Sequence, residues 1–364
     1  MTTWNSINRM VDVTDQTITL AARSSVPAPG DVMSPEDLTP DERRRVRATL
    51  RKKFVTAARP QVIDVTLGAA LKQAEGRSDP QRVWAACFHV RKKLARPSSD
   101  ARLPREVTVR VRRGGHFETL TLPTDVIDLS GLTATGTDLL MPRVSADPVA
   151  SVPATGGLLF EWLVPSAVGP IPFQGLLTVG HSCDPPEAFG PSGGPVAIRT
   201  PAGLKSGRLF ARSMFRIDAA LSTADRSNLV IPQLHPIRPL AAIEHDKDRP
   251  GRSLRADGAV PFVVSSPPQN QVLPDPWNGS QQNLVRVESP VTDAFAPGTS
   301  GSVWVIDDPA TGPQAAMIQL AAFDNGFRIG LGQVIDLTLL PWALARIAAR
   351  PGVDPDSIKV AGGF

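Results

Sequence analysis

Three segments of the chain carry residue types that could together perform nucleophilic acyl transfer. Ser300 lies in Pro297-Gly298-Thr299-Ser300-Gly301-Ser302, ahead of the apolar run Val303-Trp304-Val305. A serine hydroxyl is a weak nucleophile at neutral pH. It needs a base, and the tetrahedral intermediate it forms needs donors for its oxyanion. Gly298 would let the backbone bend so that its N–H and that of Ser300 converge, and Gly301 would let a substrate approach closely. Glycine-serine turns before strands are common, so this pattern alone also fits an ordinary turn. His181 stands at the tip of Leu176-Leu177-Thr178-Val179-Gly180-His181, an apolar strand ending in small residues. Its side chain suits proton transfer near neutrality, although a structural histidine at a strand end would look the same. The chain has 5 histidines. His89 and His116 fall outside the barrel region, and His235 and His245 sit in polar, Pro-rich or charged surroundings. Asp218 interrupts the run Phe215-Arg216-Ile217-Asp218-Ala219-Ala220-Leu221. A carboxylate there needs a partner, either an imidazole N–H or the backbone of a turn.

The elements that would position these residues are short and apolar. From about residue 135 the sequence alternates strand-like runs with Gly, Pro, Asp and Ser. Examples are GGLLFEWLV, GLLTVGH, GPVAIRT, RIDAALS, PFVVSS, NLVRVES, GSVWVID, AAMIQLAAF and FRIGLGQVI. This spacing predicts paired small barrels. LLPWALARIAAR predicts a closing helix with Leu340, Leu344 and Ile347 on one face. Upstream, Thr39-Pro40-Asp41-Glu42 is a capping box with proline at the first helical position. It opens a basic helix whose apolar stripe is Val46, Leu50, Phe54 and Ala58, and Pro60 ends it. QVIDVTLG, VWAACFHVRKK, EVTVRVRR and HFETLTL predict strands of a small α/β or mostly β unit. The expected division is a flexible, polar arm over 1–38, the basic helix and accessory unit over 39–130, a main domain over 135–350, and a tail over 351–364. Barrel one would span about 135–235 and barrel two about 236–350.

Taken together, the three segments resemble the trypsin/chymotrypsin-like (S1-type) serine peptidases. The His181 strand is similar to that family's Thr-Ala-Ala-His-Cys segment, Ile217–Leu221 to its Asp-Ile-Ala-Leu segment, and Gly298–Ser302 to its Gly-Asp-Ser-Gly-Gly segment. The order His, Asp, Ser is the family's own. Separations of 37 (218 − 181) and 82 (300 − 218) residues, slightly compact for that family, put His181 and Asp218 in the first barrel and Ser300 in the second. The resemblance implies a mainly β, chymotrypsin-like double β-barrel with a C-terminal helix, preceded by a small α/β region. It implies His181 as general base, Asp218 as its orienter, Ser300 as nucleophile, and the N–H groups of Gly298 and Ser300 as the oxyanion hole, with no metal and no organic cofactor. It also places either Ala294 or its neighbour Asp293 at the floor of the specificity pocket. Ala294 would favour small or apolar side chains, Asp293 basic ones. Leu320, Ala321 and Ala322 would form one wall and offer backbone hydrogen bonds to an extended peptide. Asp324 could be a pocket or a turn residue. Thr299 stands where digestive members carry an aspartate that pairs with a newly cut N-terminus, so the oxyanion loop must be held in another way.

Composition narrows the setting. The sequence has 364 residues, 36 Pro, 29 Gly, no Tyr and a formal net charge of +4. The length suggests two or three folding units. No apolar run reaches membrane-spanning length, and the N-terminus does not read as a secretory signal. Two cysteines, Cys87 and Cys183, are too few for a disulfide framework, which points to the cytoplasm. The Ala/Arg/Pro-rich composition suggests a bacterial source. Much of the positive surplus lies in Arg43–Arg59, where Phe54 is the lone aromatic, so nucleic acid is not the expected partner. The expected role is a cytoplasmic endopeptidase acting on a protein or peptide, processing a specific partner in bacterial stress or antiviral defence. Two other readings stay open: a non-catalytic peptide-binding module on the same fold, and a regulator that binds nucleic acid through the basic helix.

Overall fold

Residues Met1–Ser130 and Gly131–Phe364 form two compact units. The computed structural model of the protein describes residues 10–13, 18–21, 34–72, 81–95, 97–98, 102–113, 116–134, 157–164, 166–183, 195–200, 203–223, 236–255, 258–274, 276–277, 279–297, 299–324, 326–335 and 359–360.

The first unit is one helix on one sheet. Its strands are β1 (Met10–Val13), β2 (Ile18–Ala21), β3 (Val62–Lys72), β4 (Gln81–Val90), β5 (Glu106–Arg113) and β6 (His116–Asp128), in the order β2-β1-β5-β6-β4-β3. Helix α1 (Pro40–Phe54) starts at the capping box: the Thr39 hydroxyl accepts from the Glu42 N–H, and the Glu42 carboxylate accepts from the Thr39 N–H. Its stripe Val46, Leu50 and Phe54 is buried among Val65, Phe88, Val109 and Leu120. The basic side of α1 also has internal work. Asp64 is fully buried and receives Arg47 at 3.0 Å and Arg51 at 2.8 Å. Burial pulls the Arg47 pKa below its usual value, against the attraction of Asp64. Within the arm expected over 1–38 the structure places two short strands. Met10–Val13 and Ile18–Ala21 are alternating, β-branched stretches that pair with each other, and β1 adds parallel to β5. Their polar neighbours hid this pairing in the sequence.

The second unit is mainly β. Its strands are β7 (Leu132–Ala134), β8 (Leu158–Val164), β9 (Ile171–Thr178), β10 (Pro195–Thr200), β11 (Gly203–Ser213), β12 (Ala219–Thr223), β13 (Pro250–Arg255), β14 (Gly258–Val264), β15 (Gln269–Leu273), β16 (Gly279–Glu288), β17 (Val303–Asp308), β18 (Gly312–Phe323), β19 (Ile329–Val334) and β20 (Lys359–Val360). One antiparallel sheet runs β10-β11-β12-β9-β8-β20. In the other, β13, β14, β16, β19, β18 and β17 each pair with the next, and β17 returns to β13. That closed ring is a six-stranded antiparallel barrel. The architecture is mainly β, the class expected from the sequence, with one closed barrel and one six-stranded antiparallel sheet among the described residues.

Trp304 fills the closed barrel. It is fully buried, with the rings of Phe262 and Phe295 each 5.2 Å from its own, centroid to centroid. Gly330 and Gly332 on β19 make room for it, because a Cβ at Gly332 would lie 2.5 Å from the indole. Two short strands cross the expected domain limits. β20, inside the expected tail, pairs with β8, and β7, just ahead of the expected main domain, pairs with β18 of the second barrel. The closing helix with Leu340, Leu344 and Ile347 lies outside the described residues.

Candidate active site

The antiparallel pairing of β9 with β12 brings the histidine and the aspartate together. Ala220 faces Thr178 in that ladder, and two further steps would set Asp218 opposite Gly180, beside His181. A tight turn over Gly180–Ser182 delivers the imidazole. Gly180 is needed there: a Cβ would lie 2.2 Å from the Ser213 carbonyl oxygen and 2.9 Å from Asp218 Oδ1. The Arg212 guanidinium Nε donates to the Gly180 carbonyl at 2.7 Å and holds the turn from the other side.

Asp218 is fully buried and its oxygens are filled by donors. Oδ1 accepts the main-chain N–H of His181 at 2.8 Å. Oδ2 accepts His181 Nδ1 at 2.5 Å and the indole N–H of Trp277 at 2.5 Å. A carboxylate that only accepts fixes the tautomer: Nδ1 carries the proton and Nε2 keeps its lone pair. Nε2 is buried and has no hydrogen-bond partner among the described residues. The Trp277 ring also packs edge-on against the imidazole, with centroids 5.4 Å apart. The second barrel clamps the same segment. Gln333 accepts from the Asp218 N–H and donates to the carbonyls of Arg216 and Gln282. Arg216 itself takes a left-handed φ of 65°.

Ser300 sits at the head of β17. Gly301 has φ of 89°, the left-handed region that glycine adopts without strain, and its N–H donates to the Gln319 carbonyl at 2.8 Å. Thr299 has the role that the sequence left open. Its hydroxyl donates to the Ala296 carbonyl and accepts from the Gln319 side chain, so Gln319 braces the turn. The Ser300 hydroxyl donates to the Leu320 carbonyl at 3.1 Å and makes no hydrogen bond to His181. The turn meets the histidine's sheet at Gly157, whose N–H donates to the Leu177 carbonyl at 2.9 Å. A Cβ at Gly157 would lie 2.3 Å from the Gly301 oxygen. Gly298, expected to supply an oxyanion N–H, lies outside the described residues.

The remaining expected positions separate. Ala294 is buried in the apolar core of the second barrel beside Phe295. Asp293 is exposed, with a left-handed φ of 59°. Leu320, Ala321 and Ala322 lie on β18, all buried. Asp324 follows β18 at a turn, and its N–H donates to the Gly131 carbonyl at 2.7 Å.

Trp277, Gln333, Arg212 and Gln319 are absent from the sequence-based site. Two of them left a signal. Gln333 interrupts the apolar run Gly330–Ile335 as Asp218 interrupts its own, and an amide there needs partners. Trp277 is a lone aromatic in the turn-forming Pro274-Asp275-Pro276-Trp277-Asn278-Gly279. Trp277→Phe keeps the ring and removes one donor from Asp218. With Ser300 acting as a nucleophile, kcat should fall roughly 10- to 100-fold, the equivalent of one hydrogen bond to a charged group. Steady-state kinetics check this, and an unchanged kcat would leave Trp277 as packing alone.

No family model matches the chain, and no curated protein matches it. Solved structures do. The inactive form of the Rv3671c protease, from M. tuberculosis, is 13% identical, with a TM-score of 0.33 over 52% of this chain and 88% of the other. The MamO protease domain of Magnetospirillum magneticum is 13% identical, with a TM-score of 0.31 over 54% and 98%. The thermostable serine protease AL20, from an extremophilic microorganism, is 10% identical, with a TM-score of 0.30 over 54% and 99%.

Proposed function

We propose that the second unit is a serine endopeptidase. The observation that carries this reading is the polarised imidazole. His181 is held by a buried carboxylate on Nδ1 and presents an unpartnered, buried Nε2 in the same unit as a serine on a glycine turn. Ser300 Oγ turns from the Leu320 carbonyl to His181 Nε2 and attacks the substrate carbonyl carbon. Nε2 takes its proton and then returns one to the leaving amine. Asp218 stabilises the imidazolium without itself being protonated, and the N–H groups of Ser300 and Gly298 receive the oxyanion. Ala321 and Ala322 offer main-chain groups to an extended peptide. Small or apolar side chains are the proposed preference beside the scissile bond, since Ala294 and Phe295 are buried core and Asp293 faces solvent.

Both cysteines are buried thiols and are not joined in a disulfide, which supports work in a reducing compartment, and we place the enzyme in the cytoplasm. No helix among the described residues is long and apolar enough to cross a membrane. Processing of one protein partner, rather than general digestion, is the proposed role. Two arginines of the basic helix are engaged with Asp64 and so favour a structural role for α1 over nucleic-acid binding.

A serine-reactive fluorophosphonate tests the core of the proposal. The wild type should be labelled at Ser300 and Ser300→Ala should not, as read by mass spectrometry of the labelled peptide. Failure of the wild type to label would favour the non-catalytic peptide-binding module.

A further inference from the structure

One edge of β18 is occupied along its length by other parts of the same chain. Gly312–Ile318 pair with β17. Gln319 is next: its carbonyl accepts from Gly301 and its N–H donates to Ser302. The Leu320 carbonyl accepts from the Ser300 hydroxyl. Ala321, Ala322 and Phe323 then pair antiparallel with Ala134, Thr133 and Leu132 of β7. The ladder ends with the Asp324 N–H donating to the Gly131 carbonyl. In an antiparallel pair the doubly bonded positions alternate, so this bond makes Ala322 and Thr133 the next bonded pair and Leu320 the one after. β7 runs toward the nucleophile. One register step past Ala134 is Leu320, whose carbonyl holds the serine hydroxyl.

We propose that Gly131–Ala134 is a built-in pseudosubstrate: it occupies the strand edge that an incoming peptide must use, in the direction that leads a main chain to Ser300. This rests on the peptidase reading only for the chemistry that follows binding. The occupied edge itself is a property of the ladder. A substrate segment adds to β18 only after β7 leaves, and β7 is short, a three-residue strand. The class of ligand is an extended peptide with main-chain donors and acceptors spaced as in Gly-Leu-Thr-Ala, the chain's own occupant. Displacement of β7 and the swing of Ser300 from Leu320 to His181 free the same stretch of edge, so one event opens the site and arms the nucleophile.

Thr133→Pro in the full chain removes the N–H that donates to Ala322 and so loosens β7. A fluorescein-labelled Gly-Leu-Thr-Ala peptide should bind Ser300→Ala/Thr133→Pro at least ~10-fold more tightly than Ser300→Ala, the gain expected when an edge open in a tenth of molecules becomes free. Equal affinities in two folded proteins would overturn the proposal. A second measurement needs no β7 variant: saturating Ser300→Ala with the same peptide should accelerate hydrogen exchange at the Thr133 amide, and unchanged exchange under saturation would also overturn it. Fluorophosphonate labelling separates the two readings. Labelling with no gain in peptide binding leaves the peptidase standing without a pseudosubstrate. A gain with no labelling leaves a gated peptide-binding edge without hydrolysis.

Discussion

Under the proposed peptidase reading, Asp218→Asn should lower kcat by about four orders of magnitude with little change in KM, the loss seen when the orienting carboxylate of a Ser-His-Asp triad becomes an amide. The local geometry makes the substitution costly in a second way. Asp218 receives donors on both oxygens: the His181 main-chain N–H on Oδ1, and His181 Nδ1 with the Trp277 indole on Oδ2. An asparagine has one carbonyl oxygen. Placed at Oδ2, it turns its NH2 toward the His181 N–H. Placed at Oδ1, it turns the NH2 toward the indole and forces the imidazole into the wrong tautomer. Each arrangement leaves a buried donor facing a donor, a cost of ~1–3 kcal/mol. The variant should therefore lose stability as well as turnover. Kinetics with a peptide substrate and urea denaturation read the two effects separately, and a variant within tenfold of wild-type kcat would remove Asp218 from the catalytic group.

Trp304→Ala should destabilise the second unit by ~3–5 kcal/mol, a large share of the ~5–15 kcal/mol typical of a domain. The indole is fully buried between Phe262 and Phe295, and β19 carries glycines where any Cβ would collide with it. Backbone that has made room for an indole cannot collapse onto alanine, so most of the cavity should persist. The effect should also reach the site, since Gln333, which clamps Asp218, is next to Gly332 on β19. Urea unfolding at constant m-value checks the magnitude. A loss below ~1 kcal/mol would show that the barrel repacks freely.

The legible part of this protein was local. Apolar strand runs, the capping box before α1, an aspartate interrupting an apolar stretch and a histidine at a strand tip are all short-range patterns. Each has a physical cause that operates within a few residues. What could not be read depends on pairing between distant segments. β20 pairs with β8, and β7 with β18, through backbone groups that every residue possesses, so composition does not mark them. Met10–Val13 was obscured for the same reason, since its partner β5 lies far along the chain. The role of Trp277 is not fixed by its local sequence, because an indole N–H serves equally well in a core or on a carboxylate, and only the fold decides which. Thr299 marks the boundary between the two kinds of information. Its sequence showed what the turn could not use, and the Gln319 amide, from a later strand, shows what holds it instead.

The pairing of Lys359 with Glu161 and Val360 with Phe160 has a kinetic corollary. Bringing such widely separated segments together carries the largest loop-closure entropy among the described strand pairings of the unit, and topology of this kind slows folding. The sheet that carries His181 should therefore reach its final width late, after the closed barrel behind Ser300 has formed from nearer neighbours. Until then the β8 flank stays open to adventitious strand addition, so the maturing chain is more prone to self-association than the finished one.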